Sequence, residues 1–167
     1  NLHKYFNQHN TYILLTSKEQ DMTITRPTIM EVDLNNFKHN LREIKKYIDS
    51  NTTIMPVIKA NAYGTYINYR PDIINQLSIV AVAITDEAIT LRNNGYTKEI
   101  FILNQPYITE IDKIIEYNLT IGISELSFLK ELIKRKETIK VHLEIETGMN
   151  RTGINPKDLK EFINTIK

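Results

Sequence analysis

From Thr28 onward the chain alternates short β-branched, apolar runs with stretches of helical periodicity, a pattern that few architectures satisfy. Residues 28–33, 53–59, 78–84, 99–103, 119–123 and 140–146 read as strands. Leu34, Phe37, Leu41, Ile44 and Ile48 recur at helical spacing behind Asp33, a side chain suited to capping a helix. Asp86 is expected to cap a second helix that Gly95 ends. Helices are also expected near residues 108–117 and 125–136 and after Pro71 and Pro156. The run at 78–84 is apolar almost throughout, as a strand covered on both faces should be. Strands alternating with helices imply βαβ units around a parallel sheet, so the expected fold class is α/β.

A chain of 167 residues suffices for one ordinary core, and 41% hydrophobic with 25% charged residues is the balance of a globular domain. The formal net charge is +1, and basic residues are interspersed with acids, as in Arg42-Glu43-Ile44-Lys45-Lys46. No basic block serves nucleic acid or a membrane surface, so neither is an expected partner. No apolar stretch is long enough to span a bilayer, and residues 12–15 are too few for a signal-peptide core. The absence of cysteine excludes a disulfide and a thiolate metal site, and fits a reducing cytoplasm. Residues 1–21, rich in Asn, Gln and His, show no steady period and are expected to be a leader or linker. Met22 resembles an original start, so the expected domain is 22–167. His3 and His9 lack acidic or thiol companions, and no metal site is expected.

The segment richest in chemistry is Val57-Ile58-Lys59-Ala60-Asn61-Ala62-Tyr63-Gly64, where a strand ends on a lysine and the chain turns through Asn61 and Gly64. Burial at a strand end disfavours an ammonium and frees the amine that attacks an aldehyde, the chemistry of a Schiff-base lysine. A lone lysine there is more often a snorkelling side chain. The six residues Lys59-Ala60-Asn61-Ala62-Tyr63-Gly64, however, closely resemble the pyridoxal 5'-phosphate (PLP) signature of bacterial alanine racemases, whose lysine carries the cofactor. Downstream, His142-Leu143-Glu144-Ile145-Glu146-Thr147-Gly148-Met149-Asn150-Arg151-Thr152-Gly153 resembles that family's strand and loop ending in Thr-Gly-Met-x-Arg-x-Gly. Between the two, Ala81-Val82-Ala83, Asp86-Glu87-Ala88 and Leu91-Arg92-Asn93-Asn94-Gly95 resemble the family's strand and helix. The resemblance runs from about Arg26 to Lys167.

It implies an incomplete (β/α)8 TIM-type barrel of parallel strands, lacking the last strands and the C-terminal β domain of the family. Five strands from residue 53 plus a leading one fall short of the eight strands and roughly 250 residues of a closed barrel. Two open edges would make the isolated chain prone to associate. The resemblance also implies a PLP-dependent isomerase that interconverts L-alanine and D-alanine for cell-wall peptidoglycan, cytoplasmic and homodimeric in its full-length form. Lys59 would bear the cofactor and serve as acid and base on one face of the substrate. Tyr63 would donate to the cofactor phosphate, although one among nine tyrosines is ordinarily a packed aromatic. Arg151 would hold a carboxylate or the cofactor's phenolate oxygen. In the family, a tyrosine of the partner's C-terminal domain serves the opposite face, so this chain alone is expected to be inactive.

Three departures from the family stand out. Glu144 occupies a strand position where many alanine racemases have a lysine that becomes carbamylated; it is expected to orient Arg151, or else to be the polar phase of the alternation of Val141, Leu143 and Ile145 with His142, Glu144 and Glu146. His142 is read as structural. Thr65-Tyr66 stands where the family usually has His-Gly, which changes the freedom of the loop, and the segment to Ala81 is slightly compressed. The readings left open are a racemase for serine or another small amino acid, a vestigial or noncatalytic PLP-binding module, and a PLP-dependent decarboxylase of similar barrel type.

Overall fold

The computed structural model describes residues 3–6, 11–15 and 30–166, with side chains from residue 30. The chain divides into two compact units, residues 1–53 and 54–167.

In the first unit, strands β1 (His3–Phe6), β2 (Thr11–Leu15) and β3 (Met30–Asp33) form an antiparallel sheet in that order, with Thr11 opposite Asp33 and Leu14 opposite Met30. Two strands thus form within the stretch expected to be a leader or linker. The strand expected to lead the parallel sheet belongs instead to this antiparallel one. Its residues explain the difference: Met30 and Glu31 are exposed and only Val32 and Asp33 half-buried, unlike the continuous apolar runs of a doubly covered strand. Asp33 caps the following helix, Leu34–Lys46, by accepting the Asn35 and Asn36 N–H groups at 2.7 and 3.2 Å. Such a cap contributes about 1 kcal/mol. Lys45 and Lys46 meet the negative end of the helix dipole. His9 lies outside the described residues.

In the second unit, β4 (Ile79–Val82), β5 (Glu99–Ile102), β6 (Thr120–Ile123) and β7 (Val141–Leu143) form an unclosed parallel sheet in chain order. A fifth segment joins the β4 edge: Val57 bridges Ala81, the Ile58 N–H reaches the Ala81 carbonyl at 2.8 Å, and the Ala81 N–H reaches the Pro56 carbonyl at 2.9 Å. The strand expected over 53–59 is therefore cut to this short contact, because Pro56 has no N–H to extend the ladder. The count of five from residue 53 holds, and the order is that of an incomplete barrel.

Val80, Val82, Ile100, Ile102, Ile121 and Ile123 are at most 1% exposed and pack beneath the crossover helices. Helix Thr85–Asn93 contributes Ala88 and Leu91, Ile111–Glu116 contributes Ile111 and Ile114, Leu126–Ile133 contributes Phe128, Leu129 and Leu132, and Leu159–Ile166 contributes Phe162. Each fully buried Ile or Leu stabilises by roughly 1.5–3 kcal/mol. On the other face, the rings of Phe101 on β5 and His142 on β7 meet at 4.5 Å across β6, where Gly122 has no side chain to separate them.

Arg92 ties two connections together: its guanidinium donates to the carbonyls of Tyr96, Lys98, Tyr117 and Asn118 at 2.7–3.1 Å. Burial lowers its pKa. The neighbouring Tyr96 hydroxyl, fully buried and donating to the Leu77 carbonyl, is pushed up to about 12, first by desolvation. Among the described residues no helix is long and apolar enough to cross a membrane.

Candidate active site

Lys59 follows directly on the bridged segment, at the carboxyl end of the parallel strands, where barrel active sites lie. The turn it opens is left-handed: Ala60, Asn61, Ala62 and Tyr63 have φ of 50, 55, 53 and 54°, and Gly64 has φ of 82°. A left-handed helical conformation costs an L-residue roughly 1–2 kcal/mol, so the four non-glycine residues together cost about 4–8 kcal/mol. Local bonds recover part of this. The Ala62 N–H reaches the Ile58 carbonyl at 3.0 Å, the Gly64 N–H that of Ala60 at 3.0 Å, the Tyr66 N–H that of Asn61 at 2.8 Å, and the Thr65 hydroxyl that of Ala62 at 2.7 Å. A strand end followed by a sharp turn was legible in the sequence; a left-handed turn with glycine only at its exit was not.

The remaining support comes from Glu87 in the first turn of helix Thr85–Asn93. Its Oε1 accepts the Ala60 N–H at 2.7 Å and its Oε2 the Ala83 N–H at 2.8 Å. Asp86, expected to cap that helix, faces outward 3.9 Å from Lys113 instead; the position before the helix is Ile84, which has no capping side chain. Gly95 does end the helix region, with φ of 87°. Beneath the turn lies a cavity of about 40 Å³ lined by Ile58, Asn61, Asn68, Tyr69, Glu87 and Thr90 among others. Asn68 is 6% exposed and its Oδ1 has no hydrogen-bond partner. The cavity has both polar and apolar walls and is large enough for one water. Asn68 and Tyr69 belong to the 3-10 turn Ile67–Tyr69, which directly follows Thr65-Tyr66.

Lys59 is half-buried and makes no ion pair among the described residues; its Nζ lies 6.0 Å from the centre of the Tyr63 ring. Tyr63 is 66% exposed, so its hydroxyl is accessible and the packed-aromatic reading does not describe it.

Arg151 sits on the loop after β7, at the same carboxyl rim, with three strands between its strand and that of Lys59. It is exposed and unpaired within the described residues, and no direct contact joins it to Lys59. The strand expected over 140–146 ends at Leu143, after which the chain loops round so that Ile154 bridges Ile145 in parallel. Glu146 organises this loop: backbone N–H groups of Asn150, Gly148, Met149 and Arg151 hold its carboxyl below the usual carboxylate range. Glu144, expected to face Arg151, instead accepts the hydroxyl of the next residue, Thr152, while its Oε2 is buried without a partner. The reason is geometric. The Glu146 N–H bonds the Ile154 carbonyl and the Ile154 N–H the Glu144 carbonyl, which brings Thr152 over the Glu144 side chain.

The sequence reading missed Glu87, Glu146, Asn68 and Thr152. Glutamate in the first helical turn and glutamate opening a Gly-containing loop were visible signals, but both are ordinarily solvated. No group of three or more metal-ligating side chains occurs among the described residues. The arrangement thus offers a half-buried amine, an accessible phenol and an unpaired guanidinium at one rim, a donor set for a ligand that combines an aldehyde with anionic oxygens.

The family described as alanine racemase, N-terminal domain, matches residues 32–167. Alanine racemase 2 of Caldanaerobacter subterraneus subsp. tengcongensis is 35% identical over 142 residues, covering 81% of this chain and 37% of the relative. An amino-acid racemase of Enterococcus faecalis is 39% identical over 129 residues, 75% of this chain and 18% of the relative. The structure of an alanine racemase of Clostridium difficile 630 in complex with cycloserine superposes with a TM-score of 0.74 at 30% identity, covering 80% of this chain and 39% of the other. The chain spans about two fifths of the length of the alanine racemases it matches.

Proposed function

We propose, from the fact that this chain belongs to the alanine racemase N-terminal domain family, that it supplies the lysine side of a PLP-dependent active site interconverting L-alanine and D-alanine. The observation that carries this reading is the amine of Lys59, half-buried at the carboxyl end of its strand on a turn of fixed and costly geometry. PLP fits the residues present: the Lys59 amine would take its aldehyde carbon, Tyr63 would donate to its phosphate, and Arg151 would face its phenolate oxygen or the substrate carboxylate. When bound, PLP would spread the charge left on the substrate as the α-proton departs. Lys59, released from the cofactor by the incoming amino acid, would hold and return that proton at Nζ on one face. Glu144, through Thr152, would steady the loop that carries Arg151. The proton on the opposite face requires a second group, which the reading assigns to the remainder of a full-length homodimer. The isolated chain is accordingly expected to racemise at no useful rate.

The more general name of one relative, an amino-acid racemase, keeps a second substrate reading in view, serine or another small amino acid. In either case the reading places the protein in the cytoplasm, and with alanine it would furnish D-alanine for the cell wall. The test is a spectrum of the full-length protein with added PLP. A band near roughly 420 nm that borohydride abolishes, with the reduced label on Lys59 and its loss in Lys59→Ala, is the expected result. A label that survives Lys59→Ala, or no D-alanine from L-alanine, would overturn the reading.

A further inference from the structure

We propose that Glu87 is a positioning residue for Lys59, holding the lysine-bearing turn through the backbone rather than touching substrate or cofactor. The inference rests on the function proposed for Lys59 and adds what keeps that amine in place.

Both carboxylate oxygens are committed to backbone N–H groups, Oε1 to Ala60 at 2.7 Å and Oε2 to Ala83 at 2.8 Å. Ala60 is bonded directly to Lys59 and is the first left-handed residue of the turn. Ala83 immediately follows β4, the strand to which the Lys59 segment is bridged through Val57 and Ala81. One side chain therefore fixes the peptide beside the lysine to the end of the neighbouring strand. Glu87 makes no ion pair among the described residues, so accepting these N–H groups accounts for its charge. Its place in the first turn of helix Thr85–Asn93 puts the carboxylate at the positive end of the helix.

Other support for the turn comes from within the turn or from the adjoining residues Ile58, Thr65, Tyr66 and Tyr69. Among the hydrogen bonds described for the turn, that from Ala60 to Glu87 reaches a distant element, 27 positions away. A small cavity lined in part by Asn61 and Glu87 lies beside it, so packing is incomplete on that side. If the Ala60 peptide rotates out of its left-handed conformation, the Lys59 Cα–Cβ direction rotates with it. Glutamine at position 87 offers a single acceptor oxygen, so one of the two N–H groups loses its partner.

The experiment compares full-length wild-type protein with Glu87→Gln, using PLP as the probe. Expected are a roughly tenfold rise in the Kd for PLP, a roughly tenfold slower appearance of borohydride-trapped label on Lys59, and a roughly tenfold faster hydrogen exchange at the Ala60 amide. Ile114→Val, a core substitution beneath the sheet, serves as the stability control: it should lower the melting midpoint yet leave labelling of Lys59 unchanged. Wild-type labelling kinetics in Glu87→Gln would overturn the positioning role, as would slowed labelling in Ile114→Val to the same extent. Should Glu87→Gln not fold, the wild-type Ala60 amide decides: exchange at the unstructured rate removes the tie on which the proposal stands. Failure of wild-type protein to label Lys59 at all would instead count against the function proposed above, and the Ala60 exchange comparison would still test the Glu87 contact.

Discussion

Gly153 provides the sharpest test of how the arginine loop is built. Its φ is +121°, a region where a side chain is strained, and a Cβ placed there would lie 2.6 Å from the Glu146 nitrogen and 3.0 Å from both the Glu146 Cα and the Ile145 carbonyl carbon. All three are backbone atoms, so no flexible side chain can yield. For Gly153→Ala the conformational strain is about 1–2 kcal/mol and the forced backbone shift about 1–3 kcal/mol, giving roughly 2–5 kcal/mol against the local fold. Gly95→Ala is the matched comparison. It has a similarly positive φ of +87° but nothing within 4 Å of its Cβ, so only the strain of about 1–2 kcal/mol applies. Hydrogen exchange reads both locally, because the Glu146 and Ile154 amides bond across the Gly153 turn and the Tyr96 amide bonds across the Gly95 turn. Gly153→Ala should speed exchange at Glu146 and Ile154 by about 30-fold or more, and Gly95→Ala should speed Tyr96 by about 5- to 30-fold while leaving Glu146 unchanged. Unaltered protection at Glu146 and Ile154 in Gly153→Ala would refute the close approach of the two loop arms.

Two further outcomes are expected. Arg92→Met removes donors to four carbonyls at once and should cost about 2–4 kcal/mol by denaturant midpoint, and Arg92→Lys, a single-point donor, should recover less than half; equal stability of wild type and Arg92→Met would contradict the bonding described. Because N–H groups of Asn150 and its neighbours hold the Glu146 carboxyl below its ordinary value, the loop is fully supported above the ordinary carboxylate range and loses support as pH falls through the lowered value. Amide exchange of residues 148–151, corrected for intrinsic rates, should accelerate from about pH 6 to about pH 3 in wild type but not in Glu146→Gln, and a flat wild-type profile would refute it.

The parallel architecture could be read because its signal is local and repeated. Each apolar run and each helical period carries its own evidence of type, and Ser78 to Ile84 or Leu126 to Ile133 could hardly be satisfied otherwise. Residues 28–33 misled because strand character says nothing about the partner; β3 is a strand, but its exposed Met30 and Glu31 suit an antiparallel sheet. The candidate side chains Lys59, Tyr63 and Arg151 could be singled out because they sit in short contiguous motifs. Their supports were not. Glu87 and Ala60 are 27 positions apart, and nothing in a helix that begins Thr85-Asp86-Glu87 says which of its acids will turn inward. Asp86 was the natural choice for a cap, yet the carboxylate one residue later reaches the backbone of two other elements.

Glu144 shows the same limit in another form. Its place in the strand alternation was clear, and so was its nearness in sequence to Arg151, but the partner it meets depends on how the chain loops round after Ile145. With Ile154 bridged in parallel to Ile145 and Gly153 admitting the close approach, the loop delivers Thr152 rather than Arg151 to the carboxylate. That leaves the guanidinium unpaired within the described residues and available to an anionic ligand. The two loops of the rim are thus built alike: each is held by a glutamate whose oxygens accept backbone N–H groups, Glu87 in the loop of Lys59 and Glu146 in the loop of Arg151. A carboxylate suits this work because it accepts without donating and strengthens every N–H bond it receives by its charge. Loops so held tolerate incomplete packing, and a small cavity can lie beside the lysine turn while Ile58 and Ala62 stay buried.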